Sequence, residues 1–178
     1  MTLERIAALS CAIALAAAPA RAQPVTVPAE IEKVHLADED CEDYEAAHMV
    51  EARITGKLDD KRDVYMLPCF TGAYNVIYRI YVWDAKYPDN VSATLFAGYS
   101  DAIGWYGRKD VVNADYDAAT RTLTAFEKGR GLGDCGSQPT WKWTEYGWRL
   151  VEYRYWDKCD GSRSLAEWPV VYRYAPAK

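Results

Sequence analysis

Apolar and polar residues alternate with a period of two along most of the chain after residue 50. In residues 76–83 the even-numbered positions carry valine, tyrosine, isoleucine and valine, and the odd-numbered positions carry isoleucine, arginine, tyrosine and tryptophan. A β-strand places successive side chains on opposite faces, so this segment predicts a strand with two different faces. Further strands are predicted at residues 64–67, 92–98, 111–116, 122–127, 140–144, 148–156 and 169–174.

Short turn segments separate several of these strands. Residues 117–120 and residues 145–147 have lengths typical of hairpin loops, and the second includes Gly147. Hairpin connections make neighbouring strands antiparallel, whereas parallel strands need long crossovers. We therefore expect an all-β domain, an antiparallel meander or sandwich-like fold, over residues 41–178, preceded by an N-terminal extension at 23–40.

The first 22 residues contain the parts of a secretory signal peptide. A basic residue is followed by an apolar run over residues 6–19 and by an Ala-Arg-Ala end. The run is too short to span a membrane. We therefore expect cleavage before Gln23, export to the periplasm or the medium, and no membrane span in the mature chain.

The charge pattern excludes some classes of partner. The chain has a formal net charge of −5 and contains no run of lysines or arginines. Nucleic acids and anionic membrane surfaces need a basic footprint, so neither is expected as a partner. Acidic residues cluster at 38–43, which we interpret as the start of a short helical segment through residues 45–47, with Asp38 as its cap.

The cysteine count becomes even once the signal peptide is removed. Cys11 lies inside the signal, and four cysteines remain in the mature chain. Four cysteines in an exported protein predict two disulfide bonds, with three possible pairings. Zinc ligands usually occur as close pairs, whereas these cysteines are more than about twenty residues apart, so no metal is expected. The four are Cys41, Cys69, Cys135 and Cys159.

The hairpin at residues 145–147 favours one of the three pairings. If its loop centres near Tyr146 or Gly147, the register brings Cys135 and Cys159 close together across the open end of the hairpin. This pairing is our preference, and elimination then joins Cys41 to Cys69. A disulfide that closes a loop of this length contributes about 3 kcal/mol in the chain-entropy description.

Aromatic residues supply the first candidates for ligand contact. All seven tryptophans lie between Trp83 and Trp168, and aromatic residues occupy both faces of the predicted strand at 148–156. Both faces cannot be core, so we expect some of this surface to be exposed or covered by a partner. A glycine-rich loop at 130–136 adds a possible ion pair. The candidate ligand-binding residues are Arg130, Gly131, Asp134, Trp141, Trp143 and Trp148.

Signals for cofactors and catalysis are weak. Residues 131–136 match the dinucleotide motif Gly-x-Gly-x-x-Gly, but Pro139 and strand-like sequence follow where that motif needs a helix N-terminus, so no cofactor is expected. The only histidines, His35 and His48, lie near the N-terminus, and no Gly-x-Ser-x-Gly elbow occurs. No catalytic residue is assigned, since nothing singles out a carboxylate pair. The candidate carboxylates are Asp101, Asp115, Asp134, Glu145 and Glu152.

Two runs carry more specific information, residues 67–75 (LPCFTGAYN) and residues 126–136 (FEKGRGLGDCG). Their surroundings add the Trp-Lys-Trp segment 141–143, Cys159 and the Trp-Pro pair 168–169. Over about residues 60–172 the chain resembles a bacterial family catalogued as domain of unknown function 1176. The resemblance implies export in a Gram-negative bacterium. Family members are longer and carry six cysteines, so this chain is similar to their C-terminal part, and the family brings no established activity.

Together these observations predict a non-catalytic binding module, disulfide-bonded and periplasmic or secreted. It would recognise envelope material or another protein through its aromatic face and the loop at 130–136. A carboxylate-based glycan hydrolase and a structural envelope component without a ligand are the alternatives. Two carboxyl groups about 5 to 9.5 Å apart in a groove would favour the hydrolase.

Overall fold

A computed structural model describes residues 25–41 and 44–176, so the predicted signal peptide at 1–22 lies outside the described residues. The helices are α1 (Ala29–Leu36) and α2 (Ala47–Glu51), with one 3₁₀ turn at Leu165–Glu167. The strands are β1 (Ile54–Lys57), β2 (Arg62–Thr71), β3 (Val76–Asp84), β4 (Phe96–Ser100), β5 (Gly104–Arg108), β6 (Val111–Val112), β7 (Asp115–Asp117), β8 (Thr122–Thr124), β9 (Glu127–Lys128), β10 (Gly136–Thr144), β11 (Gly147–Trp156) and β12 (Val170–Arg173).

The strands of the described residues form three antiparallel sheets. The first sheet has the order β1-β2-β3-β6, and the second has the order β12-β11-β10-β8-β7 with β9 beside β10. β4 and β5 form a separate two-stranded hairpin. Consecutive strands pair from β1 to β3 and from β10 to β12, as in a meander. The predicted all-β, antiparallel fold class with a short N-terminal helical segment is confirmed.

The main core joins residues of the first sheet to residues of the second. The two-residue period of β3 is confirmed, because its even-numbered side chains enter this core. Exclusion of such apolar side chains from water is the dominant favourable term in folding. The largest buried members of this main core are Met66, Tyr78, Ile80, Phe96, Leu123, Trp141 and Trp143.

Helix α1 covers the other face of the first sheet. Ile31 of α1 packs with Leu67 of β2 and Tyr81 of β3, which belong to the odd-numbered face of those strands. The second face predicted for residues 76–83 is therefore also buried. The sequence pattern does not predict α1, since its segment has few apolar residues among prolines and charges.

The prediction that Asp38 caps a helix is wrong, because Asp38 pairs with a buried arginine instead. α1 ends at Leu36, and α2 begins at Ala47 without a side-chain cap. Asp38 instead accepts a hydrogen bond from Arg79 Nε at 2.8 Å, and this bond lowers the pKa of Asp38. The Arg79 side chain is 4% exposed and also donates to Asp110. Asp38 thus neutralises a buried cation on β3.

Two predicted strands are each divided into two, and in the first of them the chain changes sheet. Residues 111–116 form β6 in the first sheet and β7 in the second. Between them, Asn113 adopts φ of 45°, a left-handed conformation that ends regular pairing. Residues 122–127 divide into β8 and the start of β9, which both pair with β10 in the second sheet. The sequence pattern also omits β1 and β5.

Both predicted disulfide pairs are present, Cys41 with Cys69 and Cys135 with Cys159. Gly136 lies opposite Trp156 at the open end of the β10–β11 hairpin, so Cys135 directly precedes the paired residues and Cys159 lies three residues beyond them. The hairpin thus brings the two cysteines close together, as predicted. Disulfides persist in oxidising compartments, so the two pairs are consistent with an extracytoplasmic protein.

No helix in residues 25–41 and 44–176 is long and apolar enough to cross a membrane.

Candidate functional site

The three candidate tryptophans lie together in the main core. Trp141 and Trp143 are 4% and 6% exposed. Trp148 is partly buried, with its ring centroid 5.2 Å from that of Trp143 and 6.3 Å from that of Phe96. Buried rings of this kind stabilise the sheets through packing. They do not form an exposed face for a ligand.

The candidate loop residues lie at the surface. Arg130 Nε donates to Asp134 Oδ1 at 2.7 Å, and a second bond from Nη2 to Oδ2 completes a two-pronged pair. The hydrogen bonds from Arg130 lower the pKa of Asp134 to about 2. Gly131 lies against the ring of Tyr74, since a Cβ at this glycine would be 3.5 Å from the ring. The structure therefore joins Arg130 and Asp134 but separates this exposed loop from the buried tryptophans.

Side-chain amides fasten this loop to the β2–β3 turn. Asn75 Nδ2 donates to the carbonyl of Lys128 at 3.0 Å. Asn113 Nδ2 donates both to Asn75 Oδ1 and to the carbonyl of Phe126, each at 2.8 Å. Tyr74 adds a long hydrogen bond to the loop backbone at 3.4 Å. The two sequence runs at 67–75 and 126–136 thus meet through direct hydrogen bonds.

Two glycines allow close packing at the base of the loop, Gly129 against the second disulfide and Gly136 against the backbone of β9. A Cβ on Gly129 would be 2.8 Å from Cys135 Sγ. Gly136 has φ of 134°, and a Cβ there would be 1.8 Å from the carbonyl oxygen of Glu127. Only glycine fits at either position, because the disulfide and the neighbouring backbone occupy the space that a side chain would need.

A cleft of about 390 Å³ opens beside this base. Gly129 and Gly136 form one wall, and the β4–β5 hairpin and β11 supply the others. The side chains that give the cleft its chemistry are Tyr99, Tyr106, Tyr155, Ser100, Glu127 and Ser137. We call this feature the tyrosine cleft.

Two rings of the tyrosine cleft, Tyr99 and Tyr155, are held by aromatic packing. The centroid of Tyr99 lies 5.3 Å from that of Tyr155 at an interplanar angle of 80°, and 5.1 Å from that of Trp105. Trp105 in turn packs 5.2 Å from the buried Tyr153. The Tyr99 hydroxyl donates to Asp101 at 3.1 Å, which raises the pKa of Tyr99. The rings are therefore fixed in place before any ligand arrives.

A polar network lies behind these rings. Glu127 Oε2 accepts hydrogen bonds from Arg108 Nη1 at 2.5 Å and from Ser137 Oγ at 3.3 Å. The Tyr153 hydroxyl accepts the backbone N–H of Tyr99 at 3.2 Å, which ties the β4–β5 hairpin to β11. The cleft therefore combines fixed aromatic rings with a carboxylate whose charge is already compensated.

Comparison with known proteins adds the family. The family described as "Protein of unknown function (DUF1176)" matches residues 7–175. The chain belongs to the DUF1176 family. The resemblance carried by residues 67–75 and 126–136 is confirmed, and the match extends beyond the 60–172 range expected from the sequence.

One curated relative of this DUF1176 chain is the uncharacterized protein YpfG of Escherichia coli (strain K12). The two are 31% identical over 123 residues, which cover 68% of this chain and 35% of the relative. The chain thus spans about a third of the length of that protein. No solved structure matches the chain.

Two carboxylates of the DUF1176 chain have the wrong electrostatics for a general acid, which needs a raised pKa. Partial burial raises the pKa of Glu152, but hydrogen bonds from Arg154 and Arg173 outweigh it, so the pKa is lowered. Asp134 is likewise held ionised by Arg130. Of the other carboxylates weighed from the sequence, Asp101, Asp115 and Glu145 are exposed.

Sequence reasoning missed most of the residues that line the tyrosine cleft, although Tyr155 lies on the strand at 148–156 whose aromatic faces it singled out. Tyr99, Tyr106 and Glu127 come from β4, β5 and β9, and β5 itself is not predicted by the alternation pattern. One signal was available, the glycines and aromatic residues clustered at 96–99 and 104–107. In the β4–β5 hairpin Gly98 lies opposite Tyr106, and Tyr99 lies opposite Trp105. A glycine opposite an aromatic residue indicates a ring that lies across the strand.

Proposed function

We propose that this DUF1176 protein is a non-catalytic binding module of the bacterial periplasm, and that envelope material binds in the tyrosine cleft. The observation that carries the proposal is the cleft itself, with three tyrosines around about 390 Å³ of space, two of them packed against other rings. Ligand sites typically combine such aromatic walls with a few polar groups. The signal-peptide pattern and the two disulfides support export.

The glycine-rich loop has a supporting role in this proposal. Its base forms one wall of the cleft, and the Arg130–Asp134 pair, the amides of Asn75 and Asn113 and the second disulfide restrain it. Trp141 and Trp143 are left out as ligand contacts, because their side chains are buried in the core. A binding role fits better than hydrolysis, since Asp134 and Glu152 are held ionised by arginines.

Co-sedimentation with purified envelope fragments, membranes with attached peptidoglycan, tests the proposal. The mature chain should sediment with the fragments in a saturable manner. Tyr155→Ala and Tyr99→Ala should each raise the apparent Kd about tenfold, because loss of a central aromatic contact costs about 1.4 kcal/mol or more. Tyr146→Ala removes a tyrosine that is 86% exposed at the β10–β11 turn and should leave binding unchanged.

Two results would contradict the proposal. One is a wild-type chain that stays in the supernatant at every fragment concentration. The other is equal sedimentation of wild type, Tyr155→Ala and Tyr99→Ala, provided that their near-ultraviolet circular dichroism shows intact folds.

A further inference from the structure

The ring of Tyr106 is presented as a platform. Gly98 lies opposite Tyr106 in the β4–β5 pairing, and a Cβ on Gly98 would be 2.6 Å from Tyr106 Cζ and 2.7 Å from Cε2. The ring therefore lies across the backbone of Gly98, which is possible only because that residue has no side chain. Gly98 is buried, whereas Tyr106 is 37% exposed. One face of the ring rests on the strand, and the other is open.

Glu127 adds an acceptor beside this platform. Its Oε2 atom accepts from Arg108 and Ser137, while no donor within the described residues bonds to Oε1. The side chain is 39% exposed. A ligand hydroxyl can therefore donate to Oε1 without displacing any existing hydrogen bond.

The charges around the tyrosine cleft favour an uncharged ligand. The negative charge of Glu127 is compensated by Arg108 at 2.5 Å. Lys128 contributes to the cleft wall, but its Nζ lies 5.8 Å from the ring of Phe126, and its Cδ lies near Gly133 in the glycine-rich loop. Beside Tyr106 and the compensated Glu127, the ligand groups that fit are hydroxyls and apolar C–H faces.

The backbone at this wall offers few free groups. The N–H of Gly129 donates to the carbonyl of Cys135 at 2.9 Å, and Gly136 pairs with Lys128 between β9 and β10. Recognition at the tyrosine cleft must therefore come mainly from side chains. An extended peptide that binds by strand addition would need a free row of backbone donors and acceptors instead.

We propose that the tyrosine cleft binds a saccharide, with a pyranose ring stacked on the open face of Tyr106 and a sugar hydroxyl donating to Glu127 Oε1. A pyranose presents both an apolar C–H face and hydroxyl groups at its edge, which matches a ring platform beside a compensated carboxylate. The inference rests on the proposed binding function and names the ligand class of the same cleft.

Competition experiments test the ligand class. The probes are peptide-free glycan strands from peptidoglycan, lipid-free polysaccharide from lipopolysaccharide, free stem peptides from peptidoglycan, and phospholipid vesicles. Each is titrated into mature protein bound to envelope fragments. We expect one of the two saccharides to release the protein from the fragments, and the one that does so identifies the source of the ligand. Stem peptides and vesicles should release no protein.

Variants of Tyr106 make the test specific. Tyr106→Ala should weaken saccharide binding about tenfold, while Tyr106→Phe, which keeps the ring, should stay within about twofold of wild type. Glu127→Gln keeps the size of the side chain and should weaken binding severalfold. Tyr146→Ala is again the matched control and should bind as wild type does.

The outcomes separate the two proposals. If stem peptides or vesicles release the protein and both saccharides fail, the saccharide inference is wrong, while binding through the tyrosine cleft still stands on Tyr155→Ala and Tyr99→Ala. Saccharide binding that is equal in wild type and Tyr106→Ala would also overturn the inference. Failure of the wild type to bind envelope fragments would overturn the proposed function itself.

Discussion

The two disulfides lie in regions that differ in how far their side chains are buried, which we call the closed end and the open end. The closed end consists of α1, the odd-numbered face of β2 and β3, and the Cys41–Cys69 bond. The open end consists of the β4–β5 hairpin, β9, the glycine-rich loop and the Cys135–Cys159 bond. At the closed end, His35 is fully buried between the Tyr81 hydroxyl at 3.0 Å and the Pro68 carbonyl at 3.1 Å. At the open end, aromatic rings are fixed but remain partly exposed.

This difference shows which polar groups serve stability and which are available for binding. The buried Arg79 finds carboxylate partners within its own fold, so its cluster has no evident need for a ligand. Glu127 is also paired, but its second oxygen lacks a donor among the described residues and lies beside an accessible cleft. Carboxylates paired with arginine thus serve stability at the closed end, whereas Glu127 at the open end keeps one oxygen available to a ligand.

Removal of either disulfide should give the largest loss of stability. The bonds span 28 and 24 residues, so each contributes about 3.5 kcal/mol in the chain-entropy description. Urea unfolding of Cys41→Ala/Cys69→Ala and of Cys135→Ala/Cys159→Ala should show similar losses. Only the second variant should also weaken envelope binding, since Gly129 in the wall of the tyrosine cleft packs against that disulfide. Equal binding losses in the two variants would contradict the division into two ends.

Arg79→Ala should cause the next largest loss of stability, about 3 kcal/mol in the free energy of unfolding. The substitution leaves the largely buried carboxylate of Asp38 without its cation. Arg173→Ala is the matched control, because Arg173 is 62% exposed in its pair with Glu152 and should lose less than about 1 kcal/mol. Similar urea midpoints for the two variants would show that the closed end does not depend on its buried ion cluster.

Acidification should lower the free energy of unfolding by a smaller amount, through protonation of His35. Burial lowers the pKa of His35 below 6.5, so the unfolded chain takes up this proton at a higher pH than the folded chain does. The stability contributed by neutral His35 is complete above about pH 6.5 and falls as the pH drops below that value. Urea midpoints at pH 7.5 and 5.5 should show this decrease in wild type and a reduced one in His35→Gln. An equal decrease in both proteins would exclude His35 as its source.

Tyr106→Ala should have the smallest effect on stability, below about 1 kcal/mol. Its ring is partly exposed and rests on a strand rather than in the core. The variant should therefore combine a nearly native urea midpoint with weakened binding. A loss of more than about 2 kcal/mol would mean that Tyr106 belongs to the structural part of the molecule.

The sequence predicts much of the β-structure because period-two patterns and hairpin lengths are local signals. They were sufficient for β3, for the β10–β11 hairpin and for the pairing of Cys135 with Cys159. They failed at Asn113, where the chain changes sheet through a left-handed residue, and at α1, whose few apolar residues gain meaning only when they meet β2 and β3.

The candidate site was predicted only in part, since exposure is a property of the tertiary structure. The sequence distinguishes Trp141 and Trp143 as aromatic residues, but nothing local shows that they face the core. The glycine-rich loop at 130–136 carries the ion pair expected from the sequence, yet the rings beside it come from β4, β5 and β11. Residues brought together from three separate strands leave no spacing signal in the chain.

Hydrogen–deuterium exchange of the mature protein with and without envelope fragments tests the central claim most directly. The account predicts slower exchange in β4, β5 and residues 127–137 when fragments are bound, with α1 unchanged. Protection confined to α1 and the closed end, or unchanged exchange around the tyrosine cleft in fully bound protein, would contradict it.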